Sequence, residues 1–141
     1  MTQEEKFLLL KDLCARLAYE VKVKYWPDSS VWGKHISPET CLLTMDILTS
    51  VFKREYSKKA CLPYLRPMSS MTEEEFFEYR RIKFSKVTYR DEYKRIDVGK
   101  YHNVGIIPID EYLDWLNAHH FDYRGLIEKG LALEAPEGMY N

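Results

Sequence analysis

Between Leu17 and Val21 the hydrophobic period of this chain changes from that of a helix to that of a strand, and this switch most limits the folds open to it. Thr2 followed by Glu5 is the signature of a helical capping box, and Phe7, Leu10, Cys14 and Leu17 recur behind it at helical spacing. A first helix ending near Leu17, with those four side chains inward, is the expectation. Val21, Val23 and Tyr25 then alternate with Lys22 and Lys24, the pattern of a strand buried on one face, and the run stops at Pro27-Asp28-Ser29-Ser30. A helix leading so directly into a half-buried strand must pack against it, which predicts an α+β fold.

The rest of the chain extends that scheme. Cys41, Leu43, Met45 and Ile47 alternate with Leu42, Thr44, Asp46 and Leu48, predicting a central strand over 41–48. Val51, Phe52, Tyr56 and Leu62 predict a third antiparallel strand over 51–62, an edge guarded by Lys53, Arg54, Lys58 and Lys59. These strands make a small antiparallel β-sheet or barrel-like unit. Pro63 and Pro67 hold 63–67 extended, and Thr72 with Glu75 then supplies a second capping box, stapled by Met71 and Phe76, for a central helix reaching about Phe84. Over 86–107 no clean period survives, and short strands at 85–89 and 104–107 are the expectation. Asp110 caps the next helix, which buries Tyr112, Leu113, Trp115 and Leu116. Its companion in a C-terminal helical pair is capped by Asp122, stapled by Phe121 and Leu126, and ended by a left-handed Gly130 that folds Leu131 back on Leu126. Leu131 to Ala135 finishes as a short strand. The reading is a single domain over 1–141, with a helix-and-sheet half at 1–70, a mainly helical half at 71–135 and a tail at 136–141.

At 141 residues the chain can bury a core without a staple. Cys14, Cys41 and Cys61 are odd in number and widely spaced, which favours reduced thiols and a cytoplasmic setting. The acidic start and the short apolar run Phe7–Leu10 predict neither a signal core nor a membrane partner. A net charge of -1 gives no global pull toward nucleic acid, yet charge is blocked along the chain. Counting Lys and Arg against Asp and Glu, residues 71–79 sum to -4 and 80–100 to +5, a pattern of solvated faces or complementary surfaces.

Two blocks carry a resemblance. Pro63-Tyr64-Leu65-Arg66-Pro67-Met68-Ser69-Ser70-Met71-Thr72-Glu73-Glu74-Glu75, and the stretch from Trp115-Leu116-Asn117-Ala118-His119-His120-Phe121-Asp122-Tyr123-Arg124-Gly125 through Leu126 to Tyr140, resemble a family of small proteins of uncharacterised function from phages and integrated mobile elements of gut anaerobic bacteria. The resemblance implies an accessory protein of a mobile element working inside a bacterial cell. It implies no activity, cofactor or site residue.

Tempting constellations have simpler readings. His119-His120-x-Asp122 lacks the three or four convergent ligands a metal needs, and histidines sit well at a helix C-terminus. Gly125 and Gly130 have phosphate-loop spacing, but Leu131-Ala132 stands where Lys and Ser or Thr are required. Cys14 and Cys41 fall on expected core faces, while Cys61, near Lys58 and Lys59, is the thiol with an activating neighbourhood. Arg66 and Arg124 suit buried ion pairs or stacking, with partners among Asp110, Asp114, Asp122 and Glu128. One surface signal is extended. Arg80, Arg81, Lys83, Arg90 and Arg95 interleave with Tyr89, Tyr93 and Tyr101, so bases could stack while phosphates are neutralised. Asp91, Glu92 and Asp97 interrupt that run, which favours a solvated face or one paired with the acidic C-terminal block. The functional expectation is a non-enzymatic protein that binds a host or phage protein, without cofactor or metal. Nucleic-acid binding through 80–101 is the alternative, and an enzyme without a recognisable motif a third.

Overall fold

The computed structural model describes residues 1–27, 37–53, 60–83 and 109–140. They form two compact units, Met1–Met68 with His120–Asn141, and Ser69–His119. The expected strands at 85–89 and 104–107, and Tyr89, Arg90, Tyr93, Arg95 and Tyr101, lie outside the described residues.

In the first unit, helix α1 spans Gln3–Arg16 and starts as its capping box dictates. The Glu5 amide donates to Thr2 Oγ1 at 3.1 Å and the Thr2 amide to a Glu5 carboxylate oxygen at 2.8 Å, satisfying two otherwise orphaned donors. The buried face differs from the expected one. Leu9, Leu10, Asp12, Leu13 and Arg16 point inward, while Phe7 is 70% exposed and Cys14 is exposed. Two overlapping helical stripes were available, and the charged pair Asp12 and Arg16 gave the true inner face a polar look. A single 3₁₀ turn, Leu17–Tyr19, and a left-handed Glu20 at φ 54° then turn the chain into the sheet.

The sheet has four strands in the order β2-β1-β3-β4. Strand β1 is Lys22–Tyr25, β2 Glu39–Leu42, β3 Cys61–Leu65 and β4 Leu133–Glu134. Strands β2 and β3 both run antiparallel to β1, with Val23 opposite Cys41 and Pro63, while β4 joins β3 in parallel, so the sheet is mixed rather than wholly antiparallel. Val21, Val23, Cys61, Pro63 and Leu65 line its buried face. Proline inside an interior strand is tolerated here for a definite reason. The Trp26 amide bonds the Ala60 carbonyl at 2.9 Å, which by alternation leaves Pro63 and Val23 a non-hydrogen-bonded pair, and pairing with β4 begins one residue later at Tyr64.

Two strand expectations fail. The run 41–48 is not a central strand: β2 stops at Leu42 on the sheet's edge, and Met45–Lys53 is helix α2. Thr44 begins it, its Oγ1 accepting from the Ile47 amide at 3.2 Å and its carbonyl from the Leu48 amide at 3.0 Å. The apolar residues 45, 47, 48, 51 and 52 satisfy a helical period as well as an alternating one, and the Thr44 cap decides between them. Of the expected edge strand over 51–62, Val51–Lys53 ends α2, 54–59 lie outside the described residues, and Cys61 and Leu62 belong to β3, which is interior.

The second unit contains helix α3, residues 73–83, and helix α4, Ile109–Ala118. The Thr72 and Glu75 capping box is present, with reciprocal bonds of 3.2 and 3.1 Å. Asp110 lies inside α4 and not at its cap. Trp115 and Leu116 are buried and Tyr112 and Leu113 half-buried. Tyr79 of α3 meets Tyr112 edge-on at 6.3 Å and Trp115 at 5.7 Å, so an aromatic cluster joins the two helices.

After His120 the chain rejoins the first unit. The second member of the expected helical pair is a sequence of tight turns; Gly130 ends it where the sequence puts the stop, while Asp122 does not take the helix-capping geometry. Asp122 accepts from the Leu126 and Ile127 amides at 2.8 and 2.9 Å. Gly130, at φ 69°, closes a Schellman pattern in which the Leu131 amide reaches the Leu126 carbonyl and the Gly130 amide reaches Ile127. Gly125, left-handed at φ 70°, breaks the run between Asp122 and Gly130.

Candidate interaction surface

The densest chemistry in the first unit is buried. Arg16 Nε donates to one oxygen of Asp12 at 2.8 Å, Arg124 Nη1 donates to the other at 2.8 Å, and Arg16 Nη2 donates to the Phe121 carbonyl at 2.6 Å. The side chains of Asp12 and Arg16 are fully buried and that of Arg124 is 18% exposed. Both guanidiniums also lie over the Tyr123 ring, at 5.4 and 4.7 Å. This network clamps α1 to the segment 121–124. Sequence reasoning placed Arg124 in a buried ion pair but missed Asp12, whose one available signal was its spacing of four residues from Arg16.

The histidine cluster resolves into packing. His119 Nδ1 lies 2.8 Å from the Trp115 carbonyl, and its ring stacks on Trp115 at 4.0 Å. His120, left-handed at φ 64°, stacks on Tyr140 at 3.7 Å. Asp122 spends both oxygens on backbone amides. Arg66 stacks over Phe121 at 4.3 Å, as its sequence context suggested. The Tyr140 hydroxyl donates to the Tyr64 carbonyl at 2.7 Å and accepts from the Lys22 amide at 2.9 Å, and burial pushes its pKa up to about 12. Cys61, the one thiol whose sequence neighbours could activate it, is fully buried in the core. Burial, and secondarily the Glu39 carboxylate, raise the Cys41 pKa.

Of the basic candidates, Arg80 and Arg81 are exposed on α3, whereas Lys83 is half-buried. The Lys83 ammonium sits 5.5 Å from both the Tyr79 and Tyr112 rings, held by the aromatic cluster rather than offered to a phosphate. Glu73, Glu74 and Glu78 are exposed on the same helix.

What the surface of the first unit does offer is apolar. Helix α2 buries Leu48 and Val51 and turns Met45, Thr49 and Phe52, spaced at i, i+4 and i+7, to solvent. Met45 is 61% exposed, Phe52 51%, and Leu42, at the end of the edge strand leading into α2, 46%. The sequence hid this stripe, because reading 41–48 as a strand put Met45 inside. Among the described residues no cluster of three or more His, Cys, Asp or Glu could hold a metal. No described helix is long and apolar enough to cross a membrane. In comparisons with known proteins, no family model, no curated protein and no solved structure matches the chain.

Proposed function

We propose that this chain is a non-enzymatic, cytoplasmic accessory protein of a phage or mobile element, acting by binding a host or phage protein through the apolar edge formed by Leu42, Met45 and Phe52. The observation that supports this reading is the exposed stripe itself. Large apolar side chains aligned on one helix face keep their hydration cost until something covers them, and such patches mark protein contacts more often than other functions. An amphipathic helix or an extended segment lying along α2 and the β2 edge suits this geometry. The genomic setting comes from the resemblance of the 63–75 and 115–140 blocks. Acidic side chains beside Arg80 and Arg81, and the seating of Lys83 on two tyrosines, weigh against nucleic acid.

Affinity capture from a gut anaerobe carrying the element tests it, with wild-type chain compared against the double variant Met45→Glu, Phe52→Glu. Co-recovery of a defined protein with wild type, lost in the variant at unchanged thermal stability, is the expected result. Repeated recovery of the tagged chain alone, or equal recovery with both, overturns the reading.

A further inference from the structure

We infer that α3 is a self-association face, on which two copies of this chain pair antiparallel about a two-fold axis at Phe77. Phe77 is 61% exposed and Phe76, edge-on to it at 6.4 Å, is 47% exposed. Around the helix Glu73, Glu74, Phe77, Glu78 and Arg81 fall on one exposed arc. Along the helix Glu73 and Glu74 precede Phe77, exposed Arg80 and Arg81 follow it in the last turn, and Glu78 stands beside the aromatic.

That order selects the occupant. At about 1.5 Å per residue, Glu74 lies ~4.5 Å on one side of Phe77 and Arg81 ~6 Å on the other. Reversing a second copy about Phe77 sets Glu74 of one protomer within about 1.5 Å, along the axis, of the partner's Arg81, and Arg81 likewise of the partner's Glu74, while the two Phe77 rings meet between them. This is the reciprocal pairing an isologous interface requires. A parallel arrangement sets Glu73, Glu74, Glu78 and Arg81 each against its own copy, whereas reversal leaves only Glu78 near its own, so like-charge repulsion favours the antiparallel pair. The three exposed glutamates also oppose an anionic membrane or a nucleic acid on this face. One short helix covers less area than a standard interface of about 800 Å² per partner, so the dimer is weak and dynamic.

Sedimentation velocity on the purified full chain over a concentration series tests the inference, and needs no other partner, so its outcome is separate from that of the capture experiment. Wild type is expected to show a reversible monomer–dimer equilibrium. Glu74→Arg and Arg81→Glu, each at an exposed position, are each expected to weaken it about tenfold or more, since both symmetry-related pairs become repulsive. An equimolar mixture of the two variants restores opposite charges at both pairs and recovers a 1:1 dimer. Phe77→Gln, which leaves every charge in place, is expected to abolish association, and far-ultraviolet circular dichroism checks that each variant folds. A wild type that stays monomeric at all concentrations overturns the inference. So does a dimer that survives Phe77→Gln, or a mixture of folded variants that fails to associate.

Discussion

Arg124 donates to the Asp12 carboxylate at 2.8 Å across 112 residues of sequence, and Arg16, one turn along α1, takes the other oxygen of the same group at 2.8 Å. One buried carboxylate thus serves two guanidiniums, and through the Arg16 bond to the Phe121 carbonyl it ties the first helix to the turn segment that leads to β4. Such a network stabilises only while complete, because each member is desolvated against the others. Asp12→Ala leaves Arg16 buried with no counter-charge and is expected to cost about 3–5 kcal/mol, a large share of the ~5–15 kcal/mol typical of a domain. Arg124→Ala exposes less, since Arg124 already reaches solvent and Arg16 stays with Asp12, and is expected to cost about 1.5–3 kcal/mol. Urea unfolding of the two variants checks the order. Equal costs would mean that Arg16 gains little from the carboxylate.

Gly130 concerns backbone and not charge. At φ 69° it holds a conformation that a side chain makes costly, and its own amide and that of Leu131 close the turn after Asp122. Gly130→Ala is expected to lower stability by about 1–2 kcal/mol, with Gly130→Asn milder because asparagine tolerates the left-handed region. Thermal melts of both variants decide it, and an alanine variant as stable as wild type would show that the turn can close another way.

The Tyr140 hydroxyl connects the C-terminal turn to β1 and β3, and its pKa rises from the ordinary 10.0 to about 12, burial being the main cause. The folded state therefore keeps a proton that the unfolded chain releases. By linkage the stability this contributes is complete below pH about 10 and is lost as pH climbs toward about 12. Tyr140→Phe removes the two hydrogen bonds and is expected to cost about 1 kcal/mol near neutrality. Its deficit relative to wild type should then shrink between pH 10 and 12. Ultraviolet titration of phenolate in the folded protein should show one late-titrating tyrosine absent from the variant.

The parts of the fold legible in the sequence were those written in local chemistry. Both Thr-x-x-Glu boxes, the strand at Val21–Tyr25, the left-handed Gly130 and the burial of Trp115 and Leu116 each depend on residues a few positions apart. What was missed depends on tertiary choice. The apolar run 41–52 satisfies both periods, and Thr44 settled it as a helix by a hydrogen bond that a pattern count does not weigh. Charged Asp12 and Arg16 concealed the inner face of α1 because their partners, Arg124 and Phe121, are far along the chain. The apolar stripe of α2 was invisible for the same reason that α2 was. Of the eight basic and aromatic candidates, Arg80, Arg81 and Lys83 fall on α3, where the acids beside them matter as much as the bases.

The cysteines give a direct chemical test of which faces are inward. Sequence context gave Cys61 alone an activating neighbourhood and put Cys14 on a core face, whereas the fold buries Cys61 at the start of β3 and leaves Cys14 on the outside of α1. Cys41 lies between these extremes on the edge strand, and burial with the Glu39 carboxylate beside it disfavours its thiolate. Alkylation by iodoacetamide under native conditions, followed by peptide mass spectrometry, is expected to modify Cys14 first and Cys41 more slowly. Cys61 should react at the rate of global or local opening, and in urea all three should label together. Rapid native labelling of Cys61 would place β3 at an exposed edge, as the sequence reading of 51–62 had it. Protection of Cys14 would mean that the Phe7 and Cys14 face of α1 is covered, by a second copy or by the partner that the apolar edge of α2 is proposed to bind.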